Sequence, residues 1–201
     1  MMRPNYSLSS LVKGLAIFML LTVGISGCSF LRNPFRDRTD TDTEVVDDAT
    51  INGPSDLENA ATNVRITVPR GWVVVRGDRR HSADIYTSYP AQDLNAAVLS
   101  ESVSVLNQFD LENNAEQYRW LIEENLDRFE GESLTGLTSL NGNPAVQYEI
   151  RGTVEGQPVV YLHTTVKGRD NYYQVVGWTT QSQYSRNKET LETVIESFRG
   201  I

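Results

Sequence analysis

Residues 141–167 read NGNPAVQYEIRGTVEGQPVVYLHTTVK, and the spacing of the apolar residues in this stretch decides the fold class. Ala145 to Val154 alternates with period two. Val146, Tyr148 and Ile150 face one way, and Gln147, Glu149 and Arg151 face the other. That is the signature of a sheet strand with two unlike faces. Val159 to Lys167 alternates again, with Val160, Leu162, Thr164 and Val166 on one face. Asn141-Gly142-Asn143-Pro144 and Glu155-Gly156 are turn sequences, rich in residues that tolerate left-handed backbone or fix it. Gly168 to Asn171 turns the chain once more, into a last strand from Tyr172 to Thr179. Three strands joined by tight turns predict an antiparallel meander.

Upstream, Val64 to Val68 alternates and stops at Pro69, which cannot donate to a sheet ladder. Arg70-Gly71 turns into a short strand, Trp72 to Val75; Ala83 to Ser88 and Ala97 to Val105 are the next two strands, with a polar connection from Pro90 to Asn95. The period then changes. Leu111, Ala115, Tyr118, Ile122, Leu126 and Phe129 recur every three or four residues, the stripe of an amphipathic helix. Asp110 stands as its N-cap and Gly131 as its terminator. Leu134 to Leu140 is expected as a strand. A closing helix from Tyr184 to Phe198 carries the stripe Leu191, Val194, Ile195 and Phe198. Strands with two interspersed helices predict an α+β sandwich, an antiparallel sheet flanked by the two helices. Residues 64–201 are enough to bury one core without metal or disulfide.

The chain has 201 residues, 18 Lys and Arg, and 26 Asp and Glu, for a formal charge of −8. Such acidity argues against nucleic acid as a partner. The acids crowd between Arg36 and Asn63, where Asp37, Asp40, Asp42, Glu44, Asp47, Asp48, Asp56 and Glu58 face no base after Arg38. With so little apolar surface to bury, residues 28–63 are expected as a flexible acidic tether.

Cys28 is the single cysteine. Arg3 and Lys13 precede an apolar run from Leu15 to Ile25, about half the length a bilayer-spanning helix needs. Charged start, short apolar run and small residues make residues 1–27 a secretory signal peptide. Ile25-Ser26-Gly27-Cys28 resembles the bacterial lipobox. The resemblance implies a diacylglyceryl group on the Cys28 thiol, cleavage before Cys28, acylation of the new amine, and hence anchoring to a membrane. Removing residues 1–27 deletes Arg3 and Lys13 and no acid, so the mature charge is −10.

Several landmarks of residues 64–201 resemble the PsbP-like superfamily. They are Val68-Pro69-Arg70-Gly71-Trp72, Gly142-Asn143-Pro144-Ala145, Tyr172-Tyr173-Gln174-Val175 and Val194-Ile195-Glu196-Ser197-Phe198. That group includes the PsbP proteins of photosystem II, their lipid-anchored cyanobacterial relatives, the DcrB-type envelope lipoproteins and the Mog-type Ran-binding proteins. The resemblance implies an α/β/α sandwich and, in most members, no catalysis. It does not carry one function, because members work with different partners.

Motifs for chemistry are sparse. His81 lies between Asp78 and Asp84 at three-residue spacing, a weak candidate for a cation. Arg79 and Arg80 oppose it, and zinc sites need three or four good ligands. No metal and no cofactor beyond the lipid on Cys28 is expected. His163, mid-strand, is expected as an exposed or helix-covered sheet residue. No nucleophile motif or phosphate loop is present, so no enzyme is expected. The candidate partner surface comprises Arg70, Arg76, Arg79 and Arg80, either a docking edge for an acidic partner or a solvated loop. Trp120 joins it, since it lies off the helical stripe and is either a partner contact or part of a second core face. The expectation is a non-enzymatic accessory protein, lipid-anchored at the outer face of a bacterial membrane and working through a membrane protein complex. The alternatives are a photosystem II assembly factor in a thylakoid lumen and an envelope carrier of a small apolar ligand.

Overall fold

The computed structural model describes residues 50–75, 83–103 and 110–200. In chain order its elements are β1 (Ser55–Asn59), β2 (Val64–Val68), β3 (Val73–Val74), β4 (Ile85–Tyr89) and β5 (Leu94–Ser102). The helix α1 (Leu111–Glu124) follows, then β6 (Arg128–Leu134), β7 (Ser139–Leu140), β8 (Asn143–Val154), β9 (Gln157–Lys167) and β10 (Asn171–Thr180). The chain closes with α2 (Gln181–Glu196) and β11 (Arg199–Gly200).

The predicted meander is the middle of an eight-stranded antiparallel sheet ordered β3-β4-β5-β10-β9-β8-β6, with β7 paired to β8. The turns behave as their residues dictate. Asn141 and Gly142, at φ 52° and 83°, join β7 to β8, and Glu155 and Gly156, at 49° and 77°, join β8 to β9. Two consecutive left-handed residues give the hairpin turn whose twist matches that of the strands.

Strands β9 and β10 are buried on both faces from Val159 to Val166 and from Tyr172 to Thr179. On one face α1 lies across β8 and β9, and Ile122 meets Ile150, Val159, Tyr161, Val176 and Trp178 in a common cluster. On the other, α2 crosses β9 and β10 with Leu191, Val194 and Ile195, each about 1% exposed or less. Burial of such a side chain contributes ~1.5–3 kcal/mol. A small sheet, β1-β2-β11, completes this second layer, and Val64, Ile66, Val68 and Trp72 join the α2 cluster. The predicted α+β sandwich with a helix on each face is therefore present.

The terminal Ser197-Phe198 landmark has a mechanical role. The Ser197 hydroxyl accepts from the Thr67 amide at 2.8 Å and donates to the Val194 carbonyl at 2.6 Å. Phe198 packs at 5.2 Å, tilted, on Tyr173. Asn141 donates to the carbonyls of Glu196 and Phe198, both at 2.8 Å, which ties the β7–β8 turn to the end of α2.

Three boundaries differ from the sequence reading. The segment expected as tether through residue 63 contains β1, whose Leu57 packs on the core and whose five residues pair with β2. Helix α1 stops at Glu124, not near Gly131. The Asn125 side chain takes the Leu121 carbonyl at 2.7 Å, and the chain turns into β6 to satisfy the open edge of β8. Gly131, at φ 142°, lies in the bulge between Phe129 and Gly131 instead of capping a helix. The strand expected over Leu134–Leu140 is split, with β6 ending at Leu134 and β7 confined to Ser139–Leu140.

Gly152 shows how tightly this corner closes. A Cβ there would sit 2.6 Å from the Arg128 carbonyl oxygen, a backbone atom of the paired strand. Gly152→Ala should therefore cost about 1–3 kcal/mol in chemical denaturation. Gly53→Ala, with open space around the added carbon, should change stability by less than about 0.5 kcal/mol.

Candidate interaction surface and the polar core beneath it

Helix α1 positions both features of interest. Asp110 caps it, accepting from the Asn113 amide at 2.9 Å. Leu111, Asn114, Ala115, Tyr118 and Ile122 point into the sheet. The outer side carries Glu112, Glu116, Trp120 and Glu124, each four residues from the next and all exposed. Trp120 is 51% exposed, so of the two readings open to it, a second core face is excluded. Arg119, beside it, is engaged: its guanidinium meets Glu123 and Glu132 at 2.8 Å each. On the edge strand β6, Phe129 is 38% and Leu134 64% exposed. By spacing Phe129 belongs to the helical stripe. Its three-residue step from Leu126 continues the stripe, but a strand follows the helix there.

The other sequence candidates are dispersed. Arg70 is exposed in the turn between β2 and β3, next to Gly71 at φ 92° and Trp72, on the α2 side of the main sheet. Trp120 belongs to the helix on the opposite side, so the structure does not unite Arg70 and Trp120 in one surface. Arg76, Asp78, Arg79, Arg80 and His81 lie outside the described residues, as do Ile25, Ser26, Gly27 and Cys28. Asp84 is described and half-buried, its amide bonded to the Val98 carbonyl at 2.8 Å. Among the described residues no three His, Cys, Asp or Glu side chains group as metal ligands, and no helix is long and apolar enough to cross a membrane.

Sequence reading placed His163 on the sheet but missed what it joins. It is fully buried under α1, stacked at 5.9 Å on Tyr118 and at 6.5 Å on Tyr148. Its Nε2 lies 2.8 Å from Gln174 Oε1, which also accepts from the Thr165 hydroxyl at 2.7 Å. Gln174 Nε2 donates to Asn114 Oδ1 at 2.8 Å. Because Gln174 presents its oxygen, His163 carries its proton on Nε2, and Nδ1 is buried without a partner. Next to this chain, Tyr118 donates to Glu101 at 2.6 Å. The network fastens α1 to β9 and β10 and is sealed by the residues that form it. The alternation of β9 and β10 placed His163, Thr165 and Gln174 on one face; only their cross-strand register shows that they meet.

Burial lowers the His163 pKa to about 4, and the Gln174 hydrogen bond offsets only part of that. Burial raises that of Glu101, with hydrogen bonds from Tyr118 and Asn114 acting against it. On the α2 side, burial and the bond to Glu149 raise the Tyr184 pKa. Burial would raise that of Glu149 too, but the hydrogen bonds from Tyr184 and Arg151 and the positive charges of Arg151 and Lys188 outweigh it, and the net shift is downward. That cluster pins α2 to β8. A solvent-open groove of about 530 Å³ at the start of α2 is lined by Asp93, Glu130, Gln157, Thr180 and Ser182, a polar lining.

No family model matches the chain, and no curated protein matches it. Among solved structures, the cyanobacterial PsbP (CyanoP) of Synechocystis sp. PCC 6803 superposes with a TM-score of 0.55 at 13% identity, over 78% of this chain and 97% of that one. The fold is PsbP-like. LpqN of Mycobacterium tuberculosis, described as involved in cell envelope biogenesis, matches at a TM-score of 0.48 and 14% identity, over 72% of this chain and 88% of LpqN.

The His163 pKa has a measurable consequence. Below about 6.5 the unfolded chain takes up a proton that the fold refuses, so stability falls as pH drops from about 6.5 towards about 4. The full loss is about 3 kcal/mol. Glu101 acts in the opposite sense, since its raised pKa favours the fold as pH falls towards 4.5. Urea midpoints at pH 7 and pH 4.5 should therefore converge in His163→Gln relative to the parent, because only the histidine contribution is removed.

Proposed function

We propose that this chain is a non-enzymatic, lipid-anchored accessory protein that works by protein contact at the outer face of a bacterial membrane. The observation that carries the reading is the pairing of a PsbP-like domain, similar in fold to nearly the whole of a cyanobacterial PsbP, with Ile25-Ser26-Gly27-Cys28, whose cysteine lies 36 residues ahead of the first fully buried strand residue, Val64. The internal chemistry supports it: the buried histidine is spent on holding α1 to the sheet, and the exposed aromatic residues lie on α1 and β6. A membrane protein complex is the partner class, reached through Trp120 and the separate basic turn at Arg70.

A finer version is favoured by the CyanoP likeness. In a photosynthetic source the complex is photosystem II, and the chain is an assembly or stabilising factor in the thylakoid lumen. The carrier alternative draws no support from the groove at the start of α2, which is polar and open. Cys28→Ala should move the full-length protein from the membrane pellet to the soluble fraction of cell lysates. Retention of the alanine variant in washed membranes would overturn the lipid-anchor assignment.

A further inference from the structure

The outer face of α1 has an unusual make-up. Glu112, Glu116, Trp120 and Glu124 form a straight row at i,i+4 spacing, and Gln117 and Asn113 flank it. Glu112 and Glu116 are like charges one turn apart, an arrangement that works against the helix. Glu112, in the first turn, complements the helix dipole, but Glu116 and Glu124 lie beyond its reach and have no such role in the helix. Among the described residues none of Glu112, Glu116 and Glu124 forms an ion pair, and the nearest cation on the helix, Arg119, is shared between Glu123 and Glu132. Among the described residues, the face thus presents a large aromatic ring among carboxylates that no cation pairs.

We propose that this row is a docking site for a cationic protein segment, a stretch of a partner bearing Lys or Arg. The inference rests on the accessory-protein reading and names the chemistry of its partner. The charge pattern selects the occupant. Three carboxylates repel anionic lipid headgroups, so Trp120 is not a membrane wedge, and they steer positive segments towards the ring. A guanidinium or ammonium over an indole face gains a further attraction that neither acids nor aliphatic groups supply. Tryptophan is also the residue most enriched among those that dominate interface energies. A second copy of this acidic chain would present no matching surface on its own α1, because the like rows repel each other.

The test uses the full-length chain in its source cells, with a photo-crosslinking residue at Gln117, exposed on the same face, and a second probe at Arg70. Illumination should give an adduct from position 117 that maps to a Lys- or Arg-bearing segment of another protein. Its yield should fall about tenfold in the combined variant Glu112→Lys, Glu116→Lys, Glu124→Lys, as expected for three weak charge pairs. It should fall comparably in Trp120→Ala. In isolated membranes of the parent, raising salt from about 0.05 to about 0.5 M should lower it as well, a readout independent of any variant's folding. Adducts to lipid, to another copy of this chain or to a segment without net positive charge would overturn the proposal, as would yields indifferent to the charge reversal and to salt. Adducts from position 70 with none from 117 would overturn it while leaving the accessory reading intact. Absence of adducts from both positions would overturn both.

Discussion

Double-sided burial of β9 and β10 is the constraint on which the rest of the structure depends. Antiparallel sheets often leave one face wet. Here the two central strands are dry on both, so each face must be covered, and the two covers differ. On one face, among the described elements, α1 lies over β8 and β9; on the other lies α2 together with the small β1-β2-β11 sheet. A doubly dry strand also has no solvent to satisfy its polar side chains. His163, Thr165 and Gln174 are consequently joined to one another and to Asn114, and Gln147 donates to Thr164 at 2.8 Å. The hydrogen bonds of the core and the placement of α1 are one problem with one solution.

The meander was legible because its information is local. Alternation from Ala145 to Lys167 and left-handed residues at Asn141, Gly142, Glu155 and Gly156 each act within a few residues. The elements that escaped are those made by distant demand. Leu57 is the only apolar residue of Ser55–Asn59, too little to signal a strand, yet β2 offers it a free edge and the core a place for its side chain. Leu126 and Phe129 fit a helical period by spacing alone, and nothing nearby announces that β8 needs a neighbour. For the interaction surface, Trp120 was visible as an aromatic off the stripe, whereas its separation from Arg70 by the thickness of the sheet required the fold.

The PsbP-like architecture survives at 13% identity to CyanoP because what it requires is pattern, not particular side chains. In this chain that pattern is the alternation of the strands and the two turns. Residues outside that requirement are free to specialise. The outer face of α1 and the exposed edge β6 fall in this class, since neither Trp120 nor Leu134 contributes to the clusters that hold the sheet.

The pairing of β1 with β2 bears on mechanics. The described residues begin at Thr50; Ile51 bonds to Gly71 and Trp72 at 2.8 and 2.9 Å, and β1 then runs antiparallel to β2 through five matched residues. Tension directed along that strand would load all five pairs at once, as shear, and could not open them one by one as a zipper. The small sheet would thus act as a strain relief, taking pulls on the upstream chain before they reach the main sheet.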